Sequence, residues 1–271
     1  MNGILVLDKP KGLTSFECVE EIKKSLPGNI KAGHLGKMKP HSTGVLPILV
    51  GKANKLFKIL IQEKRTYIVH ITFAGKNKDL VSKVNKNSIT NIFNAYDGGY
   101  LQNIPDWANN KEENERFVDI DNIEILNIDF PDIIFMIKAS RKFCINQFIK
   151  DISKNLGQKG RLESFKRVQM GRFNLKNAIK LENLNSFIEI KNNLLSLNVS
   201  TSHLNSIKVN EQVERKVKNG GKIRLKAFSD YDGYVRILNR NSKILAVGEI
   251  VDGKFNYISV LGDVVWIFIQ A

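Results

Sequence analysis

Apolar and polar positions alternate in two textures along the chain. Residues 4–7 form a short apolar run that ends at Asp8-Lys9-Pro10-Lys11-Gly12, the pattern of a strand entering a turn. Thr14 and Ser15 then precede Phe16, Val19, Ile22 and Leu26 at helical spacing, which predicts a capped helix stopping near Pro27-Gly28. An apolar run over 45–50 reads as a buried segment, 53–61 as an amphipathic helix with outward lysines, and 65–74 as an alternating strand. Residues 75–116 are polar and loop-like apart from a short helix over 91–96. Strands are expected over 117–128, 133–139 and within 162–173, and helices over 146–156 and 177–187. From about Ser206 short β-rich runs separated by Gly, Asp and Asn have the spacing of a small barrel or sandwich. The expected division is therefore 1–205 and 206–271.

One stretch concentrates backbone punctuation. Residues 32–52 hold Gly33, Gly36, Gly44 and Gly51 with Pro40 and Pro47, immediately around the apolar run. Glycine opens backbone conformations closed to other residues, and proline fixes φ and removes a donor. This is a tight, shaped loop feeding a buried strand, either a site-bearing loop or an ordinary glycine-rich connection.

Composition changes the picture in one respect. The 42 Lys and Arg against 27 Asp and Glu leave a net charge of +15, so a polyanionic partner, most simply nucleic acid, is expected. A hydrophobic fraction of 42% supports a sizeable core. Cys18 and Cys144 alone make neither a disulfide framework nor a zinc cluster, and His34, His41, His70 and His203 lack metal-ligand spacing. The amino terminus meets a charge too early for a signal peptide, and no apolar run is long enough to span a membrane. A cytoplasmic monomer without metal or cofactor is the expectation.

Several blocks, in fixed order over nearly the whole chain, resemble the bacterial tRNA pseudouridine-55 synthases of the TruB family. Lys9, Pro10, Gly12, Thr14 and Ser15 match the family's Lys-Pro-x-Gly-x-Thr-Ser opening. Gly33 through Pro47 matches its Gly-His-x-Gly-Thr-Leu-Asp-Pro-x-Ala-Thr-Gly-Val-Leu-Pro signature. Arg65-Thr66-Tyr67 resembles its Lys-Thr-Tyr strand motif, and 167–179 its late Leu-Arg-Arg…Gly-x-Phe block, with Phe165 in place of the Leu. The tail is similar to the family's PUA-type RNA-binding domain. The resemblance implies an α/β (α+β) pseudouridine-synthase fold with a central mixed, mostly antiparallel sheet and a small C-terminal β-rich domain. It implies isomerisation of a uridine in the tRNA T-arm without metal or organic cofactor. That chemistry needs an Asp carboxylate near a flipped-out uridine, an aromatic ring on the base, and an Arg orienting the Asp.

By the same resemblance the frame is kept and the reacting groups are not. Lys39 stands at the family's nucleophilic Asp, and Asn146, within Arg141-Lys142-Phe143-Cys144-Ile145-Asn146-Gln147, at its Arg. The Thr-Asp-Thr loop is replaced over 75–88, and the Pro-x-Tyr-Ser-Ala stretch is eroded over 104–111. Lysine offers donors and no acceptor, so it does not replace a carboxylate. Candidate catalytic positions are Lys39, Tyr67 and Asn146; candidate RNA contacts are His34, Lys9, Lys37, Arg65, Arg141 and Arg167. Each has a plainer reading: a backbone-bonded imidazole for His34, a core tyrosine for Tyr67, a solvated loop lysine for Lys39. The leading expectation is a tRNA-binding pseudoenzyme. The alternatives are an active synthase borrowing a carboxylate from Asp79 or Asp106, and an interaction scaffold that no longer binds RNA.

Overall fold

The computed structural model describes residues 1–74, 86–104, 114–223 and 231–262. Its strands, in chain order, are β1 (Gly3–Lys9), β2 (Ala32–His34), β3 (Thr43–Val50), β4 (Arg65–Ala74), β5 (Tyr100–Asn103), β6 (Glu115–Val118), β7 (Ile120–Asp129) and β8 (Asp132–Ala139). They continue with β9 (Lys159–Met170), β10 (Phe173–Asn174), β11 (Ile179–Lys180), β12 (Leu194–Leu195), β13 (Asn205–Lys208), β14 (Gly233–Leu238), β15 (Ile244–Val251) and β16 (Lys254–Val260). A central sheet runs β11-β1-β3-β9-β4-β8-β7, with β2, β10 and β12 attached to β3, β9 and β1. The β1–β11 and β3–β9 pairs are parallel and the other pairs antiparallel, so the sheet is mixed and mostly antiparallel, in a mixed α+β fold. A second sheet, β13-β14-β15-β16, is built from strands within residues 205–260.

The apolar run over 45–50 becomes a central strand because it is buried on both faces, which explains why it is continuous rather than alternating. Leu238, Ile244 and Val247 from the second sheet, with Leu261 just after it, pack into one core with Ile4, Val45 and Leu49. Val69, Phe93, Phe135 and Phe148 centre a separate core on the other half of the main sheet.

Helix α1 (Ser15–Lys24) is capped as the sequence predicts: Thr14 accepts from the Glu17 amide and Glu17 returns the bond to Thr14. Its buried face differs. Ser15, Cys18, Val19 and Ile22 face inward, while Phe16 is 65% exposed. The reason is the Ser15 hydroxyl, which turns in to bond the Met38 backbone and rotates Phe16 outward. The helix expected over 53–61 is helical but split, a 3-10 segment Gly51–Leu56 followed by the short helix Phe57–Leu60. The helix expected over 177–187 does not form. Ile179 and Lys180 pair in parallel with Leu7 and Asp8, and a Ser186–Glu189 capping box starts the helix later, at Phe187–Asn192. Here strand pairing to a distant edge overrides local helical spacing. The polar 97–116 region contains the β5–β6 hairpin, which a loop reading missed. The short helix expected over 91–96 is Lys86–Asn94, and helix Glu211–Lys218 stands where only β texture was expected. Asp79, Asp106 and most of the divergent segments around them lie outside the described residues.

Gly44 marks the tightest backbone approach. Its φ is +98°, and a Cβ there would sit 2.1 Å from the Arg167 carbonyl oxygen, where β3 meets β9. Gly12 also has positive φ, +101°, but opens onto empty space. Gly12→Ala is therefore expected to cost about 1 kcal/mol of backbone strain. Gly44→Ala should cost several times as much or abolish folding, a contrast that urea denaturation of the two variants measures.

Candidate nucleic-acid interface

The loop between β2 and β3 is held from behind by the amino-terminal motif. The Gly12 amide donates to the Pro40 carbonyl at 2.8 Å, and the Ser15 amide donates to the Met38 carbonyl at 3.2 Å. The Ser15 hydroxyl accepts from the Met38 amide at 2.5 Å, and the Lys9 ammonium donates to the Ser42 carbonyl at 2.6 Å. A turn closed by the Ser42 amide on the Lys39 carbonyl, 3.0 Å, contains Pro40. These bonds fix the backbone on either side of Lys39 while leaving its side chain exposed, with no ion-pair or hydrogen-bond partner among the described residues.

Lys9 is thereby corrected as an RNA contact. It is 0% exposed and its ammonium is committed to the Ser42 and Pro10 carbonyls. A buried cation so placed is a strut of the loop.

A cavity of about 910 Å³ opens in front of the loop. His34, Lys37, Lys39, Arg65, Tyr67, Arg141, Asn146 and Arg167 all line it. The structure thus brings together every candidate residue except Lys9. Tyr67, on β4, is half-buried; its ring stacks on Phe165 with centroids 4.4 Å apart and planes 20° from parallel, leaving one face for a ligand. Its hydroxyl meets the guanidinium of Arg167. Asn146 lies exposed in the first turn of helix Ile145–Leu156, opposite no described partner.

Arg167 is 2% exposed and joins three elements. Its Nε donates to the Val45 carbonyl at 2.6 Å, and Nη2 approaches the Met38 sulfur at 3.0 Å. Burial lowers its pKa, and Tyr67 opposes that shift. Arg65 is 4% exposed and donates to the carbonyls of Glu63 and Ile61, at 2.6 and 2.8 Å. Burial first, with Arg167 and Arg141 adding repulsion, pushes its pKa down to about 10.

One wall of the cavity was not legible in the sequence. Gln102 on β5 is fully buried; its amide nitrogen donates to the Cys144 carbonyl at 3.1 Å and its oxygen accepts from the Cys144 amide at 2.8 Å. Arg116 on β6 donates to the Lys142 carbonyl. The β5–β6 hairpin therefore fixes the turn that presents Arg141 and Asn146. It also contributes Phe117, 59% exposed at the cavity, and beyond it Asp119. Asp119 is the only carboxylate lining the cavity among the described residues, and it pairs with Lys64 at 2.6 Å. No group of three or more potential metal ligands occurs among the described residues. Nor, among them, is any helix long and apolar enough to cross a membrane.

Comparison with known proteins agrees with this geometry. A family model described as TruB family pseudouridylate synthase (N terminal domain) matches residues 23–145. The chain is 30% identical to the tRNA pseudouridine synthase B of Clostridium acetobutylicum, over 96% of this chain and 100% of that one. The chain belongs to the TruB family. It is also 28% identical to the tRNA pseudouridine synthase B of Clostridioides difficile, covering 98% and 100% of the two chains. Among solved structures, a chain of a Cbf5-Nop10-Gar1 complex superposes with a TM-score of 0.85 at 21% identity, over 96% of this chain and 85% of that one. That likeness establishes the shared pseudouridine-synthase fold.

Burial, then the charges of Lys37 and Arg167, lower the pKa of His34. The unfolded chain, with an imidazole pKa of about 6.5, therefore binds a proton more readily than the folded one. Its contribution to stability is fully present above about pH 6.5 and is lost as pH falls through the lower folded value. His34→Gln should flatten the acid side of a Tm-against-pH profile. Lys9→Met should lower Tm by stripping the buried Ser42 carbonyl, and the Pro10 carbonyl beside it, of their donor, while leaving the salt dependence of RNA binding unchanged.

Proposed function

We propose that this chain is a tRNA-binding TruB-family protein that grips the T-arm and does not isomerise the uridine, serving as an RNA-binding or tRNA-folding factor. One observation carries the reading. The cavity that holds Tyr67 also holds Lys39 and Asn146, in the places the family resemblance gives to the nucleophilic Asp and its Arg, and its sole described carboxylate is the ion-paired Asp119. An ammonium accepts no hydrogen bond and, protonated, attacks nothing. Removing the nucleophile from a covalent mechanism normally removes orders of magnitude of rate.

Binding needs none of that. Lys37, Lys39 and Arg141 present cations without partners among the described residues, suited to phosphate contacts that dominate nucleic-acid affinity. The open face of Tyr67, backed by Phe165, suits an extruded base. The names of the relatives, tRNA pseudouridine synthase B, support tRNA as the RNA. In the same reading residues 206–271 form a small PUA-like RNA-binding domain.

Asp119 supports a second reading, an active synthase with a relocated carboxylate, because it lines the cavity. Mapping pseudouridine after incubation with unmodified tRNA separates the two. No conversion in the T-loop is expected, with tRNA affinity falling steeply as salt rises. Robust conversion overturns the inactive reading, and its loss in Asp119→Asn would identify the carboxylate. The double substitution Lys39→Asp, Asn146→Arg should bring measurable conversion where the parent protein has none.

A further inference from the structure

Half of the central sheet keeps an apolar strip on its back. Along β4, Val69, Ile71 and Phe73 turn into the core while Ile68, His70 and Thr72 turn the other way, because side chains alternate across a strand. Strand register carries that second face onto the neighbours. Ile68 lies beside Lys166 on β9 and Met136 on β8, and Met136 lies beside Glu124 on the edge strand β7. Ile68, Ile134, Met136 and Leu126 belong to none of the hydrophobic cores among the described residues, and Leu126 is 45% exposed. At the Thr66–Lys138 end a groove separates this face from His203 and Tyr234. A contiguous apolar strip rimmed by polar residues marks an interaction surface.

The rim says which partner fits. One row across the sheet reads Lys166, Ile68, Met136, Glu124, basic at one end and acidic at the other. Two rows along, Arg161, Thr72, Asp132, Asp129 repeats that order. Lys166, Glu124 and Asp129 have no ion-pair partner among the described residues, and Arg161 pairs with Glu163 at 2.6 Å. A two-fold axis along the strands, midway between β4 and β8, exchanges the two ends of every row. A second copy laid face to face about that axis sets Lys166 against the other's Glu124, Arg161 against its Asp129, and Ile68 against its Met136. Packed sheets lie about 10 Å apart, a gap that an extended lysine and glutamate close together. His70 and Thr72, near the centre, already bond Asp132, so these three stay paired when covered.

We propose that this sheet face is a self-association surface, through which two copies of the chain pair as an isologous dimer. The dimer takes the place of the monomer expected from the sequence, and it does not depend on what the cavity binds. Tyr67 and Arg167, one step along the same strands, point to the opposite face and line the cavity, so pairing leaves the cavity open. Four strands about 4.8 Å apart and six residue steps of about 3.3 Å give a footprint on the order of 400 Å² per copy, at the small end for a specific interface. Association is therefore expected to be weak, with dissociation in the micromolar range.

Analytical ultracentrifugation of the full chain, purified free of nucleic acid and held at about 0.1 M salt, tests the proposal. A shift from monomer to dimer is expected as concentration rises from about 1 to about 200 μM. Glu124→Lys sets like charges together at two symmetry-related contacts and should weaken association at least about tenfold, as should Lys166→Glu. Mixed in equal amounts, the two variants should associate about as tightly as the parent protein, because each meets the opposite charge on its partner at both contacts. A variant that had only lost its fold would not be rescued by mixing. A parent chain that stays monomeric throughout overturns the second copy as the occupant and leaves the face to a different protein. A dimer insensitive to both reversals, or variants that fail to associate when mixed, overturns the face as the contact.

Discussion

The parallel contact between β3 and β9 is the constraint on which the cavity depends. It brings Gly44 against Arg167 so closely that no side chain fits between the two backbones. Once that contact forms, the Arg167 side chain runs under β3, bonds the Val45 carbonyl, and reaches both Met38 and Tyr67. The floor, the loop and the aromatic wall are then positioned by one buried cation. Burying a guanidinium is expensive, and its hydrogen bonds to a carbonyl and a hydroxyl offset part of that cost without supplying a counter-charge.

The loop over 35–42 is clamped rather than merely connected. Lys9, Gly12 and Ser15 reach it from β1 and the start of α1, satisfying its backbone polar groups from behind. Such a loop holds its shape whatever residue stands at position 39, because none of these bonds involves that side chain. This gives a physical reason for a frame to persist while the group it presents changes. Ser15 and Lys9 carry the cost: one displaces Phe16 to the surface, and the other is withdrawn from any ligand.

Electrostatics gives the cavity its character. Arginine and lysine side chains meet there with a single described carboxylate that is already neutralised by Lys64. A pocket of that charge favours an anionic ligand over a proton-transfer reaction, since charge developing on a carboxylate has no place to reside. The overall excess of 42 basic over 27 acidic residues is thus expressed locally, and not only as a solvated surface.

Local pattern determined much of this protein. The capping of α1, the central strand over 45–50, the alternating β4, and the order of motifs that placed the chain in its family were legible because each depends on neighbours within a few residues. Tertiary structure decided the rest. That Ser15 and not Phe16 faces inward, that Lys9 is a strut, and that residues 179–180 extend the sheet instead of starting a helix all follow from partners far along the chain. Gln102 acquires its role only by meeting Cys144, and Arg65 and Arg167 converge on Gly36 only after three strands have paired. Periodicity reports which face of an element is apolar; it carries no record of which distant polar group that face will meet, and that meeting created the cationic floor of the cavity.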